Sequence, residues 1–301
     1  RPAIQYLNSN GGWAEGDETY VGPSRNTDAY INYYQRSRHI FGDLKMEILG
    51  PDGKFIDTVA SSKHRGLNRA TWSMRLKPPI VPPAAQALFA AIQGPRVVPG
   101  TYTVKMTKGD NVYTTPLEIV LDPRANYTVE DRKQQFETIM KVYNLMGHMS
   151  YGVTAIEGVR DSANARAAKL SEKDPLRAKL QSLSDESEKL RSKIVATKEG
   201  GAITGEERIR EHLGELYGSL NQYDGKPTKE QSERVESLRH ELEDVIVEFR
   251  KLTDTELASI NTALKKKKME AISVLSEADW QKGQAGGMAG TAGTSMMREA
   301  D

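Results

Sequence analysis

The side chains best able to do chemistry in this sequence are its five histidines and its many carboxylates. The histidines are His39, His64, His148, His212 and His240. No two of them have the spacing at which one helix or strand presents both to a metal ion. The acidic residues occur as Glu-Glu and Glu-Asp pairs on polar stretches, where carboxylates are usually solvated, so no glycosidase pair can be nominated.

Motifs of nucleophilic and nucleotide-dependent catalysis are also missing from the sequence. A nucleophile elbow needs Gly-x-Ser-x-Gly at a strand-to-helix turn, and the nearest string, Gly147–Gly152, has another spacing and lies in a predicted helix. There is no P-loop, and the glycines of 283–293 follow a helix, which does not fit a dinucleotide-binding fingerprint. The absence of cysteine excludes thiol catalysis, disulfides and Cys-based zinc sites. We therefore predict that the chain is not an enzyme and needs no cofactor.

Charge and hydropathy limit the kinds of molecule that the chain is expected to bind. The 42 basic and 41 acidic residues give a net charge of +1. The one basic run, Lys265–Lys268, ends a predicted helix, where it complements the helix dipole. We therefore expect neither nucleic acid nor an anionic membrane as partner, and no small-molecule ligand. No stretch approaches the roughly 20 apolar residues of a membrane-spanning helix.

Residues 26–125 carry the signals of short strands. Apolar and polar residues alternate, and Pro51-Asp52-Gly53 and Gly109-Asp110 punctuate the pattern as turns. Such spacing predicts an immunoglobulin-like antiparallel β-sandwich. Its predicted core contains Ile48, Ile56, Trp72, Met74, Tyr102 and Val104. Three tyrosines, Tyr30, Tyr33 and Tyr34, could stack on a sugar, but strand alternation favours ordinary sandwich positions for them.

An irregular insertion at 78–98 interrupts the strand pattern. It includes a short apolar helix candidate, Ala84–Ile92. Its apolar side chains would be a liability in water, so we expect them to pack against the helices or against a partner. The predicted contact residues are Ile80, Val81, Leu88, Phe89, Ile92 and Val97.

From residue 126 the hydrophobic period changes from 2 to about 3.5, which is typical of helices with narrow apolar seams and charged flanks. Helix starts are marked by Thr128–Asp131, Asp174-Pro175, Thr204–Glu207 and Thr228–Gln231, which resemble capping boxes or an N-cap followed by proline. The pattern predicts about four helices packed as an up-and-down antiparallel bundle over 126–282.

The two ends differ from the rest of the chain. We interpret 1–25 as a linker or lead-in strand. The Gly-, Ala- and Met-rich tail, 283–301, cannot bury enough surface to order itself, so we expect it to be disordered or held by a partner. The chain opens at Arg1-Pro2-Ala3 without Met and without a signal peptide, so we expect that residue 1 is not the native start.

Several of these strings together resemble a known family. They are RPA at Arg1–Ala3, YINYY at Tyr30–Tyr34, GLNRATWSMR at Gly66–Arg75, PGTYTVKM at Pro99–Met106, PLEIVLDPR at Pro116–Arg124 and LYGSLNQYDGKPTKEQ at Leu216–Gln231. The combination is similar to the region that follows the β-propeller in bacterial sortilin-like proteins with BNR or Asp-box repeats. Its middle part also resembles the immunoglobulin-like domain of flagellar hook-cap proteins.

The resemblance implies a large exported bacterial protein whose propeller precedes this chain. An extracytoplasmic location (periplasmic, cell-surface or secreted) follows from the resemblance alone. The Asp-box repeats are not in this sequence, so a hydrolase site on the propeller would lie elsewhere. The favoured function is a non-catalytic structural or protein–protein interaction region, with a propeller or other subunits as partner.

Two alternatives stay open at this point. One is an accessory region of a glycoside- or peptide-hydrolysing enzyme whose active site lies on the absent propeller. The other is a subunit of a larger membrane-associated or cell-surface assembly.

Overall fold

A computed structural model of the chain describes residues 1–7, 26–200 and 205–284. Over these residues the protein combines β-sheets with long helices, which confirms the predicted β + α composition. Most of the predicted lead-in segment, 1–25, lies outside the described residues, as does nearly all of the predicted tail, 283–301.

Seven strands form two sheets in the described part of the chain. The larger sheet has the order β1-β7-β6-β3-β4, and the smaller one is a ribbon of β2 and β5. All neighbours are antiparallel except β1, which lies parallel to β7, so the lead-in contributes one edge strand. The strands are β1 (Ala3–Gln5), β2 (Ala29–Gln35), β3 (Leu44–Leu49), β4 (Phe55–Val59), β5 (Gly66–Trp72), β6 (Gly100–Lys108) and β7 (Asn111–Leu121).

Two predicted hairpins are confirmed. The β3–β4 hairpin turns through Gly53, with φ +75°, and the β6–β7 hairpin turns through Gly109, with φ +56°. Both backbones lie in the left-handed region, which glycine enters without the steric cost that a Cβ imposes. Local turn chemistry thus sets the strand register at both positions.

The two sheets share one hydrophobic cluster. Side chains from the β2–β5 ribbon and from the larger sheet meet in it, and Trp72 packs on Tyr102 with ring centroids 5.7 Å apart. All six predicted core residues belong to the cluster or pack against it, Ile56 being only partly buried. Met74 is fully buried although its φ of +55° is rare for a residue with a side chain, so the surrounding contacts must hold this backbone.

The prediction of a helix over Ala84–Ile92 is wrong for most of these residues. Only Phe89–Ile92 is helical, as one short 3₁₀ turn. Nine residues without a cap are too few to sustain a helix on their own. The backbone instead bonds outside itself, because Ala85 N donates to Ala196 O at 3.4 Å.

Four long helices follow the strands, and none of the described helices is long and apolar enough to cross a membrane. The predicted Thr128–Asp131 and Thr228–Gln231 capping boxes form with reciprocal hydrogen bonds. The helices are α1 (Val129–Ala167), α2 (Pro175–Ile194), α3 (Ile209–Gln222) and α4 (Lys229–Lys266).

Helix α2 begins at the residue that the sequence predicts, whereas α3 begins later than predicted. Asp174 accepts from Leu176 N at 3.0 Å, and Pro175 occupies the first helical position. In contrast, α3 begins at Ile209, two residues beyond the proposed Thr204–Glu207 box, and Thr204 lies outside the described residues. The apolar seam of α2 is buried from Leu176 to Ile194, as its 4-3 spacing predicts.

The chain divides into two compact units, each assembled from distant stretches of sequence. The sheet unit contains Arg1–Pro79, Ala90–Val142 and Leu216–Ser232. The helical unit contains Ile80–Phe89, Tyr143–Glu215 and Glu233–Asp301. The first turns of α1 and the last turns of α3 therefore belong with the sheets, and the insertion at 78–98 contributes to both units.

Replacing Trp72 with alanine tests the shared sheet core. Trp72 is 2% exposed, and a cavity of that size in a packed core costs about 3–5 kcal/mol of unfolding free energy. Chemical denaturation of Trp72→Ala and of the control Trp280→Ala, whose side chain is only partly buried, measures the difference. A loss below about 1 kcal/mol for Trp72→Ala would remove this residue from the core.

Candidate functional site

The six predicted contact residues fall into three groups. Val97 is 2% exposed in the core between the sheets, so it is not available to a partner, contrary to expectation. Val97 lies outside any strand, so no alternation in the sequence marked it as a core residue. Phe89 is 77% exposed and Ile92 is 63% exposed. The remaining three, Ile80, Val81 and Leu88, are half-buried.

Within the helical unit, the segment 80–89 is held by polar and apolar contacts. The guanidinium of Arg210, itself buried, donates to Pro82 O at 2.9 Å. Gln86 Nε2 donates to Glu206 O at 3.2 Å. Leu88 lies against Gly214 of α3 so closely that a Cβ on this glycine would approach Leu88 Cδ1 to 2.2 Å. These contacts fix the backbone that carries the exposed Phe89.

Within the sheet unit, the segment 93–98 is irregular, yet each of its six carbonyls accepts a hydrogen bond from a residue outside the segment. The shortest bond to each carbonyl is 2.5–2.9 Å long. The acceptors and donors are Gln93 with Tyr217 Oη, Gly94 with Arg75 Nη1, Pro95 with Leu76 N, Arg96 with Arg132 Nη2, Val97 with Gln5 Nε2 and Val98 with Tyr102 Oη. The donors come from β1, β6, α1, α3 and the stretch that follows β5.

The same segment forms the centre of a buried ion cluster. Arg96 Nη1 lies 2.5 Å from Asp224 Oδ2, and Arg132 Nε lies 3.5 Å from Asp224 Oδ1. All three side chains are at most 5% exposed, so two guanidinium groups share one carboxylate away from water. Burial lowers the pKa of Arg132, and the Asp224 carboxylate opposes that shift. The carboxylate is thus what makes this burial of positive charge tolerable.

The guanidinium groups of the cluster, and that of nearby Arg75, donate hydrogen bonds to backbone carbonyls of the protein. Arg132 donates to Arg96 O, Arg96 Nη2 donates to Tyr6 O at 3.0 Å, and Arg75 donates to Gly94 O at 2.8 Å. Gln135 donates to Leu220 O, which ties α1 to α3. Chemically the arrangement is a set of charge-assisted hydrogen bonds that fixes irregular backbone.

A polar groove of about 590 Å³ opens beside Arg75. Its lining includes Lys77 together with the carboxylates of Asp28 and Asp57. Because Arg75 and Lys77 face two acidic residues, the groove favours neither an anion nor a cation. In the described ranges no group of three or more histidine or acidic residues is placed to hold a metal ion.

Two of the three tyrosines predicted to occupy core positions lie instead on the outward face of the β2–β5 ribbon. Tyr30 is 46% exposed and Tyr34 is 68% exposed, while Tyr33 faces inward and donates to Ser62 O at 2.7 Å. Arg69 stacks over the Tyr30 ring at 4.6 Å. Alternation placed Tyr30 and Tyr34 on one face correctly, but it could not tell which face a partner sheet would cover.

The residues that sequence reasoning missed are Arg132 and Asp224. A signal for Arg132 existed, because it lies four residues before Phe136 and seven before Ile139 on the apolar stripe of α1. Asp224 sits in a turn after α3, where nothing local distinguishes it from a solvated turn residue.

Comparison of the chain with protein-family models, with curated proteins and with solved structures finds no match. We therefore infer its function from the side chains and their contacts.

Replacing Asp224 with asparagine keeps the shape of the side chain and removes its charge. Two buried guanidinium groups then lose their counter-charge, which should lower the unfolding free energy by about 3–5 kcal/mol. Denaturant titration compares this variant with Glu118→Gln, which neutralises an exposed carboxylate on β7. If Asp224→Asn were no more destabilised than the control, the cluster would not be the support described here.

Proposed function

We propose that the chain is a non-catalytic binding and structural region of a larger exported protein, docking a propeller or another subunit. The observation that carries the proposal is the segment 80–89 of the helical unit. It contains no charged residue, and Gln86 is its one polar side chain, in a chain of which 28% is charged. It is nevertheless at the surface, with Pro82 its one buried residue.

The fixed backbone of this segment is what suits it to binding. A mobile apolar loop could fold back on itself, whereas 82–88 is tied to Arg210, Glu206 and Ala196. Phe89 therefore stays 77% exposed. A preorganised aromatic side chain binds with little further loss of conformational entropy, which is typical of interface hot spots.

The finer fold is part of the same proposal. We take the two sheets with their shared cluster as an immunoglobulin-like sandwich, and the helices with their buried seams as an antiparallel up-and-down bundle. The sheet order and the seam of α2 support these assignments. The resemblance to the region after a sortilin-like propeller supports the extracytoplasmic setting and the identity of the neighbour.

Replacing Phe89 with serine tests the docking role. Titration of the chain with a separately expressed sortilin-like β-propeller, the partner that the resemblance implies, should give an affinity lowered at least about tenfold for Phe89→Ser, the cost of losing one hot-spot side chain. The matched control is Phe55→Ser, since Phe55 is 51% exposed on edge strand β4.

Equal affinities for Phe89→Ser and the wild-type chain would overturn the docking role of the segment. Turnover of a glycan or peptide by the chain alone, abolished by changing one acidic side chain, would overturn the non-catalytic assignment.

A further inference from the structure

One end of the sheet unit collects positive charge that is scattered in the sequence. It is the end at which β2 and β6 finish and β3, β5 and β7 begin, as the pairings Gln35↔Gly66 and Leu44↔Lys108 show. We call it the basic end and define it as residues 36–43, 60–66 and 107–113.

The stretches of the basic end are joined by direct contacts. His39 N donates to Lys63 O at 3.0 Å, and Lys63 Nζ donates to Gly42 O at 2.9 Å. Lys108 Nζ lies 3.5 Å from Gln35 Oε1, where β2 ends. The three stretches therefore form one surface, although the contact between Gln35 and Lys108 joins residues that are 73 positions apart in the chain.

The charge of this surface is strongly one-sided. Five cations stand against two carboxylates, Asp43 and Asp110, so the basic end carries a formal charge of +3 while the whole chain carries +1. The cations are Arg36, Arg38, Lys63, Arg65 and Lys108. None of the five forms an ion pair with any residue that the structure describes. Arg36, Arg38 and Arg65 are exposed to solvent, whereas Lys63 and Lys108 are half-buried and bond to neutral oxygens. No carboxylate of the described residues therefore neutralises these charges.

Large apolar side chains project among these cations. Phe41 is 85% exposed, the highest value for a large hydrophobic residue in the described part of the chain, and its neighbour Ile40 is 69% exposed. On the adjoining β6–β7 hairpin, Val112 is 55% and Tyr113 is 54% exposed. The loop after β2 and the start of β7 therefore each present two exposed apolar side chains at the basic end.

We propose that the basic end binds the surface of an anionic lipid membrane, with Ile40 and Phe41 entering the headgroup region. Cations within a Debye length of the surface are attracted by anionic lipids. Apolar side chains add binding by leaving water for the acyl boundary. A nucleic acid would account for the cations but would give the aliphatic Ile40 no apolar environment, and an acidic protein would have to supply an apolar patch of its own beside its carboxylates. This peripheral contact is independent of the proposed role of the segment 80–89.

The buried ion cluster and the basic end lie at opposite ends of the sheets. Strand β7 runs from Asn111, at the basic end, to Leu121, which leads to the helix that carries Arg132. Substitutions at the basic end are therefore remote from the buried ion cluster, and they should leave the fold intact.

Sedimentation with lipid vesicles tests the proposal on the full chain. We expect binding to vesicles of mixed phosphatidylcholine and phosphatidylglycerol and none to phosphatidylcholine alone. Arg36→Gln/Arg38→Gln should weaken binding at least about tenfold, from the loss of two near-surface cations. The matched control, Lys265→Gln/Lys266→Gln, removes the same charge at the end of α4 and should bind like the wild-type chain.

A second readout isolates the apolar contact. Phe41→Trp should show a blue-shifted emission when the anionic vesicles are added, and Ile40→Ser/Phe41→Ser should weaken binding without changing the unfolding midpoint. The proposal is overturned if the chain ignores the anionic vesicles, if the α4 control is impaired equally, or if Phe41→Trp emission does not shift. Binding to a nucleic acid or an acidic protein without binding to vesicles would also overturn it.

Discussion

The sheet unit depends on satisfying six consecutive backbone carbonyls, those of residues 93–98, outside any regular secondary structure. A buried carbonyl without a donor costs free energy comparable to a lost hydrogen bond. Here the donors come from five parts of the unit, namely β1, the stretch after β5, β6, α1 and α3. The segment can therefore adopt its path only when the sheets, the start of α1 and the end of α3 are all in place. Gly94 shows how closely the chains approach, since a Cβ there would lie 1.8 Å from Leu76 O.

The use of buried arginines as donors to these carbonyls has an electrostatic cost. Arg96 and Arg132 bring two charges into the interior, and Asp224 supplies one. Such clusters are often no more stabilising than apolar packing, but breaking them leaves charge stranded. The cluster thus acts more as a condition for one specific arrangement of sheets and helices than as a source of stability. Burial also raises the pKa of nearby Tyr127 to about 12, so this phenol stays neutral even in mildly alkaline solution.

Much of the fold could be predicted because it is encoded locally. The turns at Gly53 and Gly109 set two hairpins, and Thr128, Asp174 and Thr228 mark the starts of three helices. The predictions that failed concern features whose structure depends on contacts with residues distant in the sequence. Ala84–Ile92 has helical composition, but its backbone bonds elsewhere. Tyr30 and Tyr34 alternate as core residues do, but no sheet in the described chain covers them.

The two surfaces proposed to bind partners also differ in how far the local sequence predicts them. The predicted contact residues lie in one stretch of the sequence, and of these Phe89 and Ile92 are exposed whereas Val97 is buried. The basic end could not be found from the sequence, since its cations come from three separate stretches whose proximity is created by strand pairing. Net charge concealed it, because acidic residues elsewhere cancel the total.

Hydrogen exchange at two amides tests most directly whether the segment 93–98 holds the sheet unit together. Leu76 N donates to Pro95 O and Val97 N donates to Met74 O, each at 2.9 Å. If the carbonyl donors act together, these two amides exchange as slowly as those of the central strands β3 and β6, because opening them requires the unit to unfold. Exchange at the rate of an exposed loop would contradict the account.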